Sequence, residues 1–235
     1  DMLRIYVKQY LICTSAYNKE DIEHLKQFLL SYALFTDAND AINIIIFTLP
    51  SFKSIIFDLL QLLHIKGNVI ANIKENTPMD TFLHSYHLDS VPNINIYNKI
   101  IYLKPYTIFN GVLNLLLDCI LNNKIYMFTN KDANFSVLNI QNKSKFTYYN
   151  DSIMIFNNTK KLKDFFQSLK IYTQIYIQQF NIKKTQITDT FLSELFQYFV
   201  NKHNIVEDIG SNEHISNTFI HFDKNDHTLI NIHEE

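Results

Sequence analysis

Residues Asn98-Lys-Ile-Ile-Tyr-Leu-Lys-Pro-Tyr-Thr-Ile-Phe-Asn110 carry the reading that decides the fold. Lys99 to Leu103 is a short run of β-branched and aromatic residues, the composition of a buried strand. The apolar run that follows, Gly111-Val-Leu-Asn-Leu-Leu-Leu-Asp-Cys-Ile-Leu121, reads as a helix. Between them sits Lys104-Pro105-Tyr106. In α/β proteins, ligands bind where a strand hands over to a helix. What these three residues can do chemically is therefore central to function.

Working outward, Leu3 to Ala16 holds a first buried strand over Tyr10 to Thr14. Asn18 is a good N-cap, and the acids after it suit the positive end of a helix. Ile22, Leu25, Leu29 and Ala33 recur along that helix at inward-facing spacing. Ile42 to Thr48 (INIIIFT) reads as a strand covered on both faces. Pro50-Ser51 opens a second helix, with Ile55, Leu59, Leu62 and Leu63 as its apolar stripe. Val69-Ile70 is a third short strand, and Glu75 to Asn95 is less regular. Beyond the central stretch, Lys124 to Thr129 is a strand and Asn130 to Lys145 a polar loop. Thr147 to Asn157 is a strand with a polar kink in front. Thr159 caps a long helix through Leu162, Phe166, Leu169 and Ile175. Thr188 or Asp189 opens another, carrying Phe191, Leu192, Leu195, Phe196 and Phe199. Asn217 to Asp223 ends the series as a short strand. This alternation predicts an α/β domain, a mostly parallel sheet with helices on both faces. The 235 residues contain no repeat and no flexible linker, so one domain over 1–235 is expected.

Composition narrows the function. The chain is 47% hydrophobic and 14% aromatic, enough for a large core, and its net charge of -2 provides no basic field for nucleic acid. Its Tyr and Phe alternate with Ile, Leu and Asn rather than Arg, which favours packing over base stacking. Three glycines, Gly67, Gly111 and Gly210, are too few and too dispersed for a Walker loop or a dinucleotide fingerprint. The two cysteines, Cys13 and Cys119, lie in apolar runs and read as buried reduced thiols. No apolar run is long enough to span a bilayer. No signal peptide is visible after Asp1, so the cytoplasm is expected rather than secretion.

His214, His221, His227 and His233 fall late in the chain, too widely spaced for a structural zinc site. His221 differs in ending an apolar strand, where a ligand role and a simple hydrogen-bonded histidine are equally open. Asp151 and Asp189 are the best-placed carboxylates, each where a polar turn meets a regular element. Asp189 also reads simply as a helix N-cap, and Asp151 as a turn former. No Ser-His-Asp or Cys-His arrangement stands out.

The order of these pieces resembles the nucleotide-sugar glycosyltransferases of the GT-A fold, especially family 8, the glycogenin and galactosyltransferase-like group. Cys13-Thr-Ser-Ala-Tyr17 resembles the strand and turn that hold the nucleotide base. Lys99 to Ile108 resembles the segment bearing the Asp-x-Asp motif. Tyr149 to Asn157 resembles the Asn-Ser-Gly segment of the sugar pocket, and Thr188-Asp189-Thr-Phe-Leu the start of the helix with Asp-Gln. Ile220-His221-Phe222 resembles the late segment whose His is a metal ligand. The departures are specific. Lys104 and Tyr106 replace both acids of Asp-x-Asp, only Asn150 of Asn-Ser-Gly is kept, and Thr190 replaces the Gln of Asp-Gln.

The resemblance implies a glycosyltransferase moving a hexose from a nucleotide sugar, a UDP-sugar first, to a glycan or protein acceptor. Residues 1–130 would form the nucleotide-binding half and 131–235 the sugar and acceptor half. Thr14 and Tyr17 would contact the nucleotide. Lys104, Tyr106, His221 and His227 would face the diphosphate, Asn150 and Asp151 the sugar, and Asp189 would take part in the chemistry. The family implies a divalent cation such as manganese, but its carboxylate ligands are missing here. An ammonium at Lys104 cannot be a ligand, yet it can neutralise phosphate itself. A metal-independent transferase, a catalytically inactive binder and an interaction module all follow as readings.

Overall fold

The computed structural model describes residues 9–35, 42–109, 120, 122–131, 133–209, 219–222 and 229–230. The stretch that decided the fold forms strand β4, Lys99–Leu103, at the centre of a seven-stranded sheet. On one side of it stand β1 (Tyr10–Ala16), β2 (Ile42–Thr48) and β3 (Gly67–Ile70), each parallel to its neighbour. On the other side β7 (Tyr149–Asn157) runs antiparallel to β4, from Lys99 opposite Asn157 to Leu103 opposite Ile153. Outside β7 lie β6 (Ile125–Thr129) and then β8 (Val206–Asp208). The order is β3-β2-β1-β4-β7-β6-β8, so only β7 is reversed. A smaller antiparallel sheet joins β5 (Thr107–Phe109), β9 (Phe219–Phe222) and β10 (Leu229–Ile230). The helix expected over Gly111–Leu121 lies outside the described residues except for Ile120, as does Cys119.

Strand alternation divides the core in two. Leu11, Cys13, Phe47, Ile100 and Tyr102 face one side, packed under α4 (Lys160–Gln179) and α5 (Asp189–Lys202). Ile12, Ile44, Ile46, Ile101 and Leu103 face the other, under α1 (Lys19–Phe35) and α2 (Lys53–Leu62). Four of the five side chains of β4 are buried, which is why that segment reads as continuously apolar. Burial also pushes the Cys13 thiol far up, so it is an inert core residue.

Two helical stripes differ from expectation. In α2 the buried positions are Ile56 and Leu60, while Ile55 is 48% exposed and Leu62 74% exposed. The sequence carries apolar residues on both sides of the helix, and contact with β3 chooses between them. Gly67 of β3 makes that contact possible. A Cβ there would lie 2.7 Å from the Ile44 carbonyl oxygen and 3.4 Å from Leu60. In α4, Thr173 and Tyr176 face inward and Ile175 is 54% exposed. In α1, Ala33 is likewise exposed, and Phe28 and Tyr32 fill the inner face.

A helix the sequence reading passed over, α3 (Pro78–Ser85), lies within the irregular segment Glu75 to Asn95 and packs against α5. Its start carries familiar signals: Thr77 accepts from the Asp80 N–H at 3.2 Å, and Pro78 occupies the first turn.

Candidate functional site

After Leu103 the chain leaves the sheet in a tight turn, the Thr107 N–H donating to the Lys104 carbonyl at 3.0 Å. Pro105 sits at the second position of that turn, where its fixed φ is favourable. The Lys104 N–H donates to the Ser152 carbonyl at 2.9 Å, and the Tyr106 hydroxyl meets Ser152 Oγ at 2.9 Å. Both bonds tie the turn to β7. The turn forms one wall of a cavity of about 470 Å³ at the carboxyl ends of β1 and β4. Because β7 is reversed, its first residues reach the same rim and bring Asp151 with them. Helices α1, α3 and α5 and the residues flanking them add to the lining, among others through Asn18 and Asp21, Thr77 and Thr81, and Asp189 and Ser193.

The sequence candidates divide as follows. Thr14, Tyr17, Lys104, Tyr106, Asp151 and Asp189 all line this one cavity. Asn150 does not, because strand alternation turns it away from its neighbour Asp151, and its Oδ1 accepts from the Ser152 N–H at 2.9 Å. β9 sets His221 in register with Thr107, and its side chain lies outside the description. His227, His214 and His233 lie outside the described residues. Asp189 is not the N-cap of α5. Thr188 is, accepting from the Phe191 N–H at 3.1 Å, and this leaves the exposed Asp189 carboxylate free of capping duty at the cavity.

The charges centre on Lys104. Its Nζ stands 3.7 Å from Asp151 Oδ2, with side-chain exposures of 37% and 19%. The lysine is half-buried and borders the cavity. The Asp151 carboxylate, more than burial opposes, raises the Lys104 pKa well above its ordinary value, so the ammonium is permanent. The same Asp151 oxygen accepts from Ser193 Oγ at 3.2 Å.

Tyr17 is held by a second network that sequence reasoning missed. Its hydroxyl lies 2.9 Å from His84 Nδ1 and accepts from Ser85 Oγ at 3.0 Å. His84 Nε2 lies 2.9 Å from Asn72 Oδ1. The Asn72 carbonyl oxygen needs a donor, so Nε2 carries the proton, Nδ1 accepts, and Tyr17 donates. Tyr17 therefore offers the cavity its ring, with its hydroxyl committed. Burial, and secondarily His87, lowers the His84 pKa from 6.5 to about 4. The unfolded chain then binds more protons than the native one between these values, so stability falls as pH drops below 6.5 and levels off below about 4. The slope expected from this group is about 1.4 kcal/mol per pH unit. Urea unfolding at pH 7 and pH 5 should show the wild type losing about 2 kcal/mol more than His84→Gln; equal losses would refute the assignment.

Asp21, Thr77, Ser85, Tyr86 and Ser193 also line the cavity without having been singled out. The signal for Asp21 was at hand, since it follows the Asn18 cap by three residues; it accepts from the Tyr17 N–H at 3.0 Å. The others depend on which helix faces which strand.

No protein-family model matches the sequence, and a search of curated proteins finds no match. Solved structures do match. The apo form of the glycosyltransferase GlyE from Streptococcus pneumoniae TIGR4 superposes with a TM-score of 0.53 and 14% identity, over 88% of this chain and 46% of that one. A second GlyE structure gives 0.52 and 15%, over 86% and 45%. Mouse xyloside xylosyltransferase 1, apo form, gives 0.54 and 11%, over 86% of this chain and 84% of that one. The fold is that of a GT-A-like glycosyltransferase. The chain spans about half the length of the GlyE chains it matches.

Within this glycosyltransferase fold the cavity does not suit a divalent metal on the side chains described. Among the described residues no three His, Cys, Asp or Glu side chains gather closely enough to hold one. Lys104 has no lone pair to give at neutral pH, and Asp151 already faces an ammonium.

Proposed function

We propose that the chain is a glycosyltransferase acting on a nucleotide sugar, a UDP-hexose, and that Lys104 supplies positive charge to the diphosphate in place of a carboxylate-held cation. The observation that carries this reading is a permanent ammonium bordering the cavity at the end of β4, within a glycosyltransferase fold. A positioned cation beside a departing phosphate stabilises the charge that develops on it. On this reading Tyr17 and Thr14 flank the nucleotide, and Asp189, relieved of capping, approaches the transferred sugar. Residues 1–130 then act as the nucleotide half and 131–235 as the sugar and acceptor half of one domain, with a glycan or protein as acceptor. His221 and His227 join the phosphate side as part of the proposal.

A second reading, a binder without turnover, is favoured by one observation: Lys104 is already partnered by Asp151. Calorimetric titration with UDP, UDP-glucose and UDP-galactose, in manganese and in EDTA, tests the first step. Affinities in the two buffers should agree within about threefold. Strict dependence on manganese would refute the role given to Lys104, and no binding in either buffer would remove both readings. Release of free hexose from the donor would then separate an enzyme from a binder.

A further inference from the structure

Among the described residues lining the cavity, Lys104 is the one Lys or Arg, and three carboxylates, those of Asp21, Asp151 and Asp189, line the same cavity. Asp21 is occupied by the Tyr17 N–H at 3.0 Å. Asp151 stands beside the ammonium, but at 3.7 Å. Charge-assisted hydrogen bonds close to about 2.8 Å, so this pair attracts without locking. The oxygen nearer the ammonium also accepts from Ser193 at 3.2 Å, which holds the carboxylate at the cavity rather than letting it swing away. A phosphate that reaches Lys104 must therefore share the cation with a fixed anion. The penalty grows with the charge of the arriving group, because like charges a few ångströms apart repel strongly in a partly desolvated site.

We propose that Asp151 is a charge filter in this cavity, admitting the sugar-esterified diphosphate of a nucleotide sugar in preference to the more highly charged free nucleoside diphosphate. The inference rests on the nucleotide-sugar reading above and adds to it. In a turning-over enzyme the filter weakens the hold on the product nucleotide as soon as the sugar has left. In a binder, it sets which nucleotide is retained. Asp151 acts through Lys104 and through its own field, and so determines selectivity without taking part in bond making.

The test is calorimetry at fixed ionic strength with UDP and UDP-glucose, on the wild type, Asp151→Asn and Asp151→Ser. The two variants remove the charge with and without an amide, so that a folding defect in one, seen in its thermal transition, leaves the other. The wild type should prefer UDP-glucose by about threefold or more. Removing the charge should strengthen UDP binding about tenfold and UDP-glucose binding only about threefold, so that the preference shrinks or inverts. Unchanged or weaker UDP binding in a folded variant, with the wild type still binding UDP-glucose, overturns the filter and leaves the nucleotide-sugar reading in place. Binding by a variant where the wild type has none supports both. Failure of all three proteins to bind either ligand overturns both.

Discussion

Lys104→Met should weaken UDP-glucose binding by about 30-fold, equivalent to about 2 kcal/mol. Two effects add. The ligand loses a charge-assisted contact worth about 1.5–3 kcal/mol, and Asp151 loses the cation 3.7 Å away and turns its full charge on the phosphates. Met preserves most of the apolar stem, so packing in the turn is kept. The backbone bonds of that turn, Lys104 N–H to Ser152 and Thr107 N–H to Lys104, do not involve the side chain. Lys104→Arg should retain most of the affinity, because the positive charge remains. Manganese should not rescue Lys104→Met, since the substitution adds no oxygen ligand. Because Asp151 holds the Lys104 pKa far above the neutral range, wild-type affinity should not decline as pH rises from 7 to 9 through loss of this charge. Isothermal titration of the three proteins measures all of this, and equal affinity in wild type and Lys104→Met would remove Lys104 from the binding machinery.

The frame of this domain was written locally, and much of its site was not. Lys99–Leu103 and Ile42–Thr48 match β4 and β2 residue for residue, because continuous β-branched runs bounded by polar residues have one economical fate in a sheet covered on both faces. Asn18 accepts from the Asp21 N–H at 2.8 Å, the cap its residue type foretells. The phase of α2 was not legible, since Ile55, Ile56, Leu59, Leu60, Leu62 and Leu63 support two faces equally and the packing of Gly67 decides. The helix α3 was legible in Thr77-Pro78-Met79-Asp80 and was masked by the polar, irregular residues around it. The pairing of Lys104 with Asp151 could not be read at all. It joins residues far apart in the chain, through a register fixed by the antiparallel pairing of β4 with β7. The same holds for the network of Tyr17, His84 and Asn72, which assembles from a strand end, a helix and a loop. A site built at the carboxyl ends of central strands inherits its location from local sequence and its electrostatics from topology.

The largest effect on stability is expected at Glu194, a residue whose type argues for the surface and whose position is the core. It lies within α5 at 1% exposure. Its carboxylate accepts from three successive backbone N–H groups: Ser136 at 2.8 Å, Val137 at 2.9 Å and Leu138 at 2.8 Å. The Ser136 hydroxyl adds a fourth donor at 2.7 Å. This clasp fixes a segment that reads as a polar loop but inserts Phe135 and Leu138 into the core. Burial pushes the Glu194 pKa up, but these donors outweigh it and the net shift is downward from 4.5. A depressed carboxylate pKa contributes stability that is present above the unfolded value and is lost as pH falls through the folded one. Glu194→Ala leaves buried N–H groups without acceptors, each costing about 1–3 kcal/mol before relaxation, so a loss of about 4 kcal/mol is expected. Glu194→Gln keeps one oxygen but turns an amide donor toward other donors, and should lose about 2 kcal/mol. Both variants should also lose less stability than the wild type between pH 5 and pH 3. Urea unfolding at pH 7 measures the size of the effect, and the acid series its origin. A loss under about 1 kcal/mol in Glu194→Ala would mean that water replaces the carboxylate without cost and that the loop is not anchored there.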